Sequence, residues 1–158
     1  MISKDRVIPV GKIVEVRQLF GFPDGLLTSL VPRNPELVRE SNGYLHLVSW
    51  NESYAKSVIQ LRADEESEVI GIRIRPNFKL KLPKGLNLNK EMREWVWDWL
   101  ELPYVSPYSD VSELSTASRE MEKRDIAVLH EFLSLTIQKQ APVDTIGKFC
   151  SVFRLSTG

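Results

Sequence analysis

The first apolar pattern of the chain has the spacing of a helix. Its members, three or four positions apart, are Val10, Ile13, Val16 and Phe20. This spacing predicts an amphipathic helix over residues 9–20 that ends at Gly21, because glycine is common just beyond a helix C-terminus. A second, shorter helix is predicted to begin near residues 23–24 and to be ended by Pro32 and Pro35.

Two short runs of strand type follow these helices. Residues 37–40 and 44–48 flank the sequence Asn42-Gly43, and Asn-Gly between such runs is the strongest short-range signal for a β-hairpin. Two helices followed by a hairpin is the order of elements in a winged-helix unit. We therefore predict a winged-helix-like unit over residues 1–50.

A basic segment occupies the middle of the chain, between two acidic stretches. Residues 69–90 contain no acid, and the basic residues among them are Arg73, Arg75, Lys79, Lys81, Lys84 and Lys90. Several of these alternate with apolar residues such as Ile72 and Ile74, so a strand would carry them on one face. We predict a short basic β-ribbon that turns back at Pro76-Asn77.

One helix is predicted on each side of this ribbon. The first follows an N-cap at Asn51, has Tyr54, Val58 and Leu61 on its apolar face, and ends at the acidic run. The second follows an N-cap at Asn89. Its apolar stripe, with the spacing i, i+3, i+4, i+7, i+8, consists of Met92, Trp95, Val96, Trp99 and Leu100.

The longest predicted helix forms the centre of the core. It starts at residues 115–116, after an extended proline-rich connector over residues 102–110, and runs to about residue 138. Its inner apolar side chains are Met121, Ala127, Val128, Phe132 and Leu135. The carboxylates of Glu113–Glu131 alternate with basic residues and are predicted to form a solvated face. We assign residues 51–140 to one core of helix, ribbon and long helix.

The C-terminal residues resemble the first helix. The matching pairs, aligned without a gap, are Pro142 with Pro9, Val143 with Val10 and Ile146 with Ile13. Apolar residues follow at equal offsets in both places. We interpret residues 141–158 as the truncated start of a second repeat unit and therefore expect the sequence to be a piece of a longer protein. The alternative is a chance similarity between two amphipathic helices.

Composition narrows the class of protein. At 158 residues, with 42% hydrophobic and 27% charged residues, the chain has the makeup of a globular domain. No apolar run is long enough for a membrane span. The 21 basic and 21 acidic residues cancel, so affinity for a polyanion would depend on local clusters of charge. No targeting peptide is recognisable at the start of the sequence.

The residue types that most often carry catalysis are sparse. Cys150 with His46 or His130 could form a thiol–imidazole pair. No nucleophile motif surrounds the cysteine, however, and a filler cysteine with two structural histidines is the preferred interpretation. These three residues do not make a zinc site, and no phosphate-binding glycine loop occurs. We predict no catalytic residue, no metal and no cofactor.

A cationic face suits a phosphate backbone because each neutralised phosphate releases counterions. The predicted RNA-binding residues are Arg73, Arg75, Lys79, Lys81, Lys84, Lys90 and Arg93, with Arg33, Arg39, Lys12 and Arg17 of the opening unit. Trp97, Tyr104 and Tyr108 could stack on unpaired bases, although packing against the protein is the preferred interpretation for each. The alternative for the cationic face is the solvated side of an ordinary sheet.

Several sequence blocks resemble one known family. They are Leu47-Val48-Ser49-Trp50, Leu102-Pro103-Tyr104-Val105-Ser106-Pro107-Tyr108 with Asp110, Glu122-Lys123-Arg124, and Ala127-Val128-Leu129-His130-Glu131 with Leu133-Ser134-Leu135-Thr136. Together they resemble the central part of the plant organelle RNA recognition (PORR) domain and span nearly the whole chain. The family is usually basic, whereas this chain is neutral, so part of the RNA-binding surface is expected outside it.

The resemblance implies a plant protein of chloroplasts or mitochondria that binds RNA and assists group II intron splicing. The expected partners are intron RNA, single-stranded or structured, and other splicing factors, with no membrane; the oligomeric state stays open. The alternative is a protein-interaction module of an organellar ribonucleoprotein complex. The expected fold is α+β and mostly helical, with a winged-helix-like N-terminal unit, a short basic β-ribbon and a long central helix.

Overall fold

The structure is a computed structural model that describes residues 6–153. The described part is α+β, with six α-helices and a three-stranded antiparallel sheet, which confirms the predicted fold class. The strands are β1 (Val7–Pro9), β2 (Val38–Ser41) and β3 (Tyr44–Leu47). The α-helices are α1 (Val10–Val16), α2 (Val31–Arg33), α3 (Val58–Ile70), α4 (Lys90–Glu101), α5 (Arg119–Leu135) and α6 (Val143–Phe153). None of them is both long and apolar enough to cross a membrane.

The chain forms two compact units. One, here called the sheet unit, combines the described residues up to Ala55 with those from Phe132 onward. The other, here called the helical unit, comprises Lys56–Glu131. The sheet unit contains all three strands and α6, whereas the helical unit contains α3, α4 and most of α5.

The predicted hairpin of the sheet unit is confirmed. β2 and β3 pair antiparallel, and the turn residues Asn42 and Gly43 have φ angles of 54° and 77°. Both residues are thus left-handed, as a type I′ hairpin turn requires. β1 pairs with the other edge of β3, so the strand order is β1-β3-β2. The pattern did not predict β1, because three residues are too few to show an alternation.

The helical turns before the hairpin differ from the predicted pair of helices. α1 ends at Val16, and tighter turns continue to Gly21, whose φ of 71° confirms it as the end of this stretch. A π-helical turn over Leu26–Leu30 then leads into α2, which contains Pro32. The predicted stop at Pro32 is wrong, because proline is accepted in the first turn of a helix. The chain leaves the helix at Asn34, just before Pro35.

The core of the sheet unit joins residues that are distant in sequence. Leu26, Val31, Leu45 and Phe132 are buried. The ring of Phe132 lies 4.1 Å from that of Phe149 in α6, between ring centroids. The helix predicted at the C-terminal end is therefore present and packs on the end of α5. Its interpretation as a second repeat stays a prediction, and residues 154–158 lie outside the described part.

The start and the buried face of α3 correct the prediction. Asn51 caps only a 3₁₀ turn over Glu52–Tyr54, and the N-cap of α3 is Ser57, which forms a capping box with Gln60. The predicted apolar face is also wrong. Tyr54, Val58 and Leu61 are exposed, while Ile59 and Ala63 are buried. The acidic run does not end the helix but lies within it, and α3 ends at Gly71 with φ 76°.

Two charged residues of α5 form part of the core of the helical unit. Lys123 and Glu131 are buried, as are Ala127 and Val128 between them. The prediction of a fully solvated charged face is therefore wrong at these two positions. The helix is also shorter than predicted, because it begins at Arg119 rather than at residues 115–116 and ends at Leu135. The spacing 123, 127, 131 is that of one helix stripe, and this stripe faces inward.

Lys123 and Glu131 complete the ends of two other helices. The ammonium group of Lys123 donates to the carbonyl oxygens of Trp99, Leu100 and Leu102, at 3.2, 3.0 and 2.7 Å, at the C-terminal end of α4. The carboxylate of Glu131 accepts from the backbone N–H of Val58, at 2.9 Å, at the N-terminal end of α3. Each charge has the sign that the helix dipole favours at that end.

Candidate nucleic-acid interface

The residues between α3 and α4 are extended but form no strand. We call residues 71–89 the cationic segment, and within the described chain it contains neither helix nor strand. The predicted β-ribbon is therefore wrong. The helical unit offers no neighbouring strand with which it could pair, and Pro76 and Pro83 lack the N–H that a ladder needs.

Side chains from the flanking helices hold the middle of this segment. Ser67 Oγ accepts from the N–H of Ile74 at 2.8 Å, and Arg62 donates to the carbonyl of Asn77 at 2.8 Å. The side-chain amide of Asn77 donates in turn to the carbonyl of Leu100 at 2.8 Å. The ring of Phe78 packs against three rings, those of Trp99, Tyr104 and His130. The segment is thus anchored from residue 74 to residue 78.

This anchoring leaves four cations of the segment directed at solvent. Arg73, Arg75, Lys81 and Lys84 are exposed, and none has an ion-pair partner among the described residues. The alternation seen in the sequence survives only around residues 73–78, where successive side chains point to opposite sides; Ile72, Leu80 and Leu82 are exposed like the cations beside them. Ile74, Pro76 and Phe78 are partly buried between the exposed cations.

Four of the other predicted cations have carboxylate partners. Lys79 pairs with Glu66, and Lys90 lies 3.7 Å from Glu94. In the sheet unit, the corresponding pairs are Lys12 with Glu15 at 3.7 Å and Arg17 with Asp24 at 2.6 Å. Pairs at an exposed surface contribute little stability, about 0–1 kcal/mol. A phosphate can therefore compete for these cations, but they are weaker candidates than the unpaired ones.

The remaining predicted cations are exposed on three different elements. Arg33 ends α2, Arg39 lies in β2 opposite His46, and Arg93 lies in the first turns of α4. None has an ion-pair partner among residues 6–153. Arg33 and Arg39 belong to the sheet unit and Arg93 to the helical unit.

The two candidate tyrosines are structural residues. Tyr104 shares a 2.7 Å hydrogen bond with Ser57, and Tyr108 donates to Glu131 at 3.0 Å. Burial raises the pKa of Tyr104 above its usual value. Burial and the neighbouring charge of Glu131 raise the pKa of Tyr108. The preferred interpretation of packing is confirmed for both, since both side chains are partly buried and form their hydrogen bonds within the helical unit.

Trp97 differs from the tyrosines. Its side chain is 64% exposed, so the preferred interpretation of packing is wrong for this residue. Arg93 lies one turn earlier on α4, on the same side of the helix. An exposed indole is suited to stacking on a base, and this side of α4 also carries Glu94 and Glu101 beside Arg93.

Sequence reasoning missed the residues that position the cationic segment. These are Arg62, Ser67 and Asn77, which hold its backbone. The sequence predicts a turn at Asn77, and no periodic pattern marks a side chain that bonds to an irregular backbone. The residues considered for catalysis are distributed over both units, with Cys150 in α6, His46 in β3 and His130 against Phe78. Within the described residues, no three His, Cys, Asp or Glu side chains are grouped to hold a metal.

Several curated plant proteins match the chain over most of its length. The chain is 36% identical over 99% of its length to Protein WHAT'S THIS FACTOR 1 homolog, chloroplastic, of Oryza sativa subsp. japonica, and covers 33% of that protein. It is 30% identical over 98% of its length to Protein ROOT PRIMORDIUM DEFECTIVE 1 of Arabidopsis thaliana, and covers 41% of it. It is 30% identical over 89% of its length to Protein WHAT'S THIS FACTOR 9, mitochondrial, of the same plant, covering 38%.

The chain therefore spans about a third to two fifths of the curated relatives that it matches. No solved structure matches it. Two of these relatives are named chloroplastic or mitochondrial, which supports an organellar location. The sequence profile of the plant organelle RNA recognition domain matches residues 1–158. The chain belongs to the plant organelle RNA recognition (PORR) domain family.

Proposed function

We propose that this chain is the RNA-binding domain of a plant organellar splicing factor, and that it binds group II intron RNA through the cationic segment without catalysing a reaction. The observation that carries the proposal is the set of four exposed, unpaired cations on an anchored, extended backbone. The family supports RNA as the polyanion. The relatives named chloroplastic and mitochondrial support an organelle as the location.

Local rather than total charge produces the affinity in this proposal. The whole chain has a formal net charge of zero, so long-range attraction is weak. In contrast, Arg73, Arg75, Lys81 and Lys84 lie within twelve residues of an extended chain, where successive residues advance by about 3.3 Å. Each phosphate contact with a single strand then lowers the slope of log K against log salt concentration by about 0.7.

Unpaired bases fit this site better than a duplex. An extended segment can follow the backbone of a single strand, and Trp97 offers an exposed ring for a base, worth about 1–3 kcal/mol if stacked. The winged-helix-like part of the sheet unit would offer phosphate contacts of its own, with Arg33 and Arg39 exposed and with Lys12 and Arg17 released from their carboxylates. Specific recognition of RNA generally uses such loops and unstacked bases.

The test is a filter-binding titration with a group II intron fragment at several salt concentrations. The quadruple variant Arg73→Ala/Arg75→Ala/Lys81→Ala/Lys84→Ala is expected to bind more weakly. Its salt dependence should also be flatter, by about 0.7 in slope for each lost contact. An unrelated RNA of equal length measures intron preference, which the proposal expects to favour the intron.

A matched control separates this site from a general loss of charge. The double variants Lys81→Ala/Lys84→Ala and Lys56→Ala/Arg119→Ala remove the same charge, but Lys56 pairs with Asp64 and Arg119 begins α5. Only the first should flatten the salt dependence. Equal effects of the two double variants, or unchanged binding by the quadruple variant, would reject the cationic segment as the site.

A second candidate function is a protein-interaction module, and α4 favours it. Met92 and Trp95 are 53% and 57% exposed, and large exposed apolar residues grouped on one helix mark interaction surfaces. Glu91 and Asp98 lie on the same side of α4 as Trp95, which makes that side unsuitable for a phosphate backbone. If this function is the correct one, the isolated chain will bind RNA weakly and without a steep salt dependence.

A further inference from the structure

We infer that a cleft in the sheet unit binds a single nucleobase and supplies base preference. It has a volume of about 460 Å³, within the usual range of ligand sites of about 300–1,000 Å³. The residues that line it are Gln18, Leu19, Ile137, Gln138, Gln140, Ala141 and Pro142. The inference rests on the proposed RNA-binding function and assigns base discrimination to a site distinct from the cationic segment.

The chemistry of the lining fits a base better than a phosphate. Three of the lining residues, Gln18, Gln138 and Gln140, carry carboxamides, and none of the lining residues carries a charge. Each carboxamide has both a donor and an acceptor group, which can pair with the edge of a base. Leu19 and Ile137 provide apolar surface against which a base plane can lie. The amides of Gln138 and Gln140 already lie together, at 2.5 Å.

The two sides of the cleft are held in position by the fold. The N–H of Ile137 donates to the carbonyl of Leu19 at 2.9 Å. The Cδ1 atom of Ile137 lies 3.0 Å from where a Cβ atom would be at Gly21, so only glycine allows this approach without movement. Thr136 is buried, and its hydroxyl donates to the carbonyl of Leu133 at 2.7 Å. The backbone on the two sides of the cleft is therefore fixed, whereas the glutamine side chains are exposed and become ordered only when a base binds.

The loop that carries two of the glutamines has an unusual backbone. Lys139, between Gln138 and Gln140, has a φ of 54° in the left-handed region. A left-handed conformation is unfavourable for lysine and persists where the surrounding structure requires it, often at ligand sites. Lys139 is exposed and is adjacent in sequence to both glutamines. Its ammonium group can therefore contact the phosphate of a nucleotide whose base lies in the cleft.

The first experiment measures the binding of the whole chain to single-stranded rA12, rU12 and rC12 at one salt concentration. The wild-type chain is expected to prefer one base about tenfold. The variant Gln138→Ala/Gln140→Ala should reduce that preference to within about twofold and leave the salt slope unchanged. These side chains are exposed, so the variant should fold, and its thermal unfolding serves as the check. Thr28→Ala, also exposed in the sheet unit, is the matched control.

The second experiment tests the cleft without a polymer. Nucleoside monophosphates are added to the chain, and the side-chain amide signals of its glutamines are followed by NMR. Those of Gln18, Gln138 and Gln140 should shift. The signal of Gln60, whose side-chain oxygen accepts from Ser57 and Ser106 in the helical unit, should not.

The outcomes separate this inference from the proposed function. A wild-type chain without base preference, or a double variant that retains it, would overturn the cleft while leaving phosphate binding by the cationic segment intact. If the wild-type chain binds none of the three polymers but one monophosphate still shifts the three glutamine amide signals, the cleft is supported and the proposed function is contradicted.

Discussion

A single lysine in the core of the helical unit has an unusual position. Lys123 is completely buried, yet its ammonium group has three carbonyl acceptors and lies 5.0 Å from the centre of the Trp99 ring. Burial lowers the pKa of this lysine, and the charge of Glu101 opposes that shift. The carbonyls and the ring compensate for the water that the ammonium group has lost.

We expect the substitution Lys123→Met to destabilise the protein by about 2–4 kcal/mol, because it leaves the carbonyls of Trp99 and Leu102 without their buried donor, whereas the carbonyl of Leu100 keeps the amide of Asn77. Urea unfolding measures the loss, and faster amide hydrogen exchange at the end of α4 would locate it. Arg119→Met, at the exposed start of the same helix, should change stability by no more than about 0.5 kcal/mol. Equal stability of Lys123→Met and the wild type would contradict the capping role.

The pH dependence of Tyr108 gives a second prediction at this scale. Its pKa is raised above the ordinary value of 10.0, mainly by burial and then by Glu131. Between the unfolded and folded pKa values the unfolded state therefore binds fewer protons, and stability falls as the pH rises above about 10. The difference in unfolding free energy between the wild type and Tyr108→Phe should shrink over this range. A difference that stays constant from pH 8 to pH 11 would exclude a raised pKa for this residue.

At the scale of elements, the sequence predicted correctly those turns and helix ends that depend on a few adjacent residues. The Asn42-Gly43 turn, the N-cap Asn89 and the end at Gly21 all depend on short-range chemistry. The predictions of a β-ribbon and of the buried face of α3 were wrong, because both features depend on which other elements pack against them. The alternation in residues 71–82 is compatible with a strand, but a strand also needs a partner. No pattern within this stretch shows that its neighbours are helices.

The candidate site was predictable in a similar, partial way. The clustering of cations in residues 73–84 is visible in the sequence, because charge needs no partner to be recognised. Which of them are paired is a property of the folded chain, as Lys79 with Glu66 shows. The exposure of Trp97 agrees with its position outside the apolar stripe of the helix; packing is the preferred interpretation from the sequence only because large aromatic side chains are usually covered. Lys123 and Glu131 lie four residues on either side of Ala127, and this helical spacing places all three on the buried stripe of α5.

The exposed part of the cationic segment should be the site of first cleavage by trypsin. Lys81 and Lys84 lie in irregular backbone, with a turn bond from Leu86 to Pro83 nearby. Segments with few backbone hydrogen bonds open most easily and are cut first. RNA bound there should slow cleavage at both residues. Mass spectrometry of the fragments identifies the sites, and cleavage within α5 before these sites would contradict the prediction.

At the scale of the whole molecule, each unit has its own core. The sheet unit is built from two distant parts of the chain, and Phe132 and Phe149 from the later part contribute aromatic contacts to it. The core of the helical unit contains Ile59, Ala63 and Val128 instead. A lesion in one core should therefore affect the amides of its own unit most strongly.

We expect Phe149→Ala to cost about 2–4 kcal/mol, because it removes a ring that packs 4.1 Å from Phe132. Amide hydrogen exchange should show a larger loss of protection in β2 and β3 than in α3. Val143→Ala in the same helix, at a residue that is 84% exposed, provides the neutral comparison. An equal loss of protection in both units would show that they unfold together.

The attachment of Asn77 to the end of α4 has one more consequence. It divides the cationic segment into two arms, one with Arg73 and Arg75 and the other with Lys81 and Lys84. When one arm has bound an RNA strand, the other arm encounters the next phosphates of that strand at a high effective concentration. Two weak phosphate-binding sites then act together as a bivalent site. Asn77→Ala should therefore reduce avidity for long RNA much more than affinity for a trinucleotide, although Asn77 itself carries no charge.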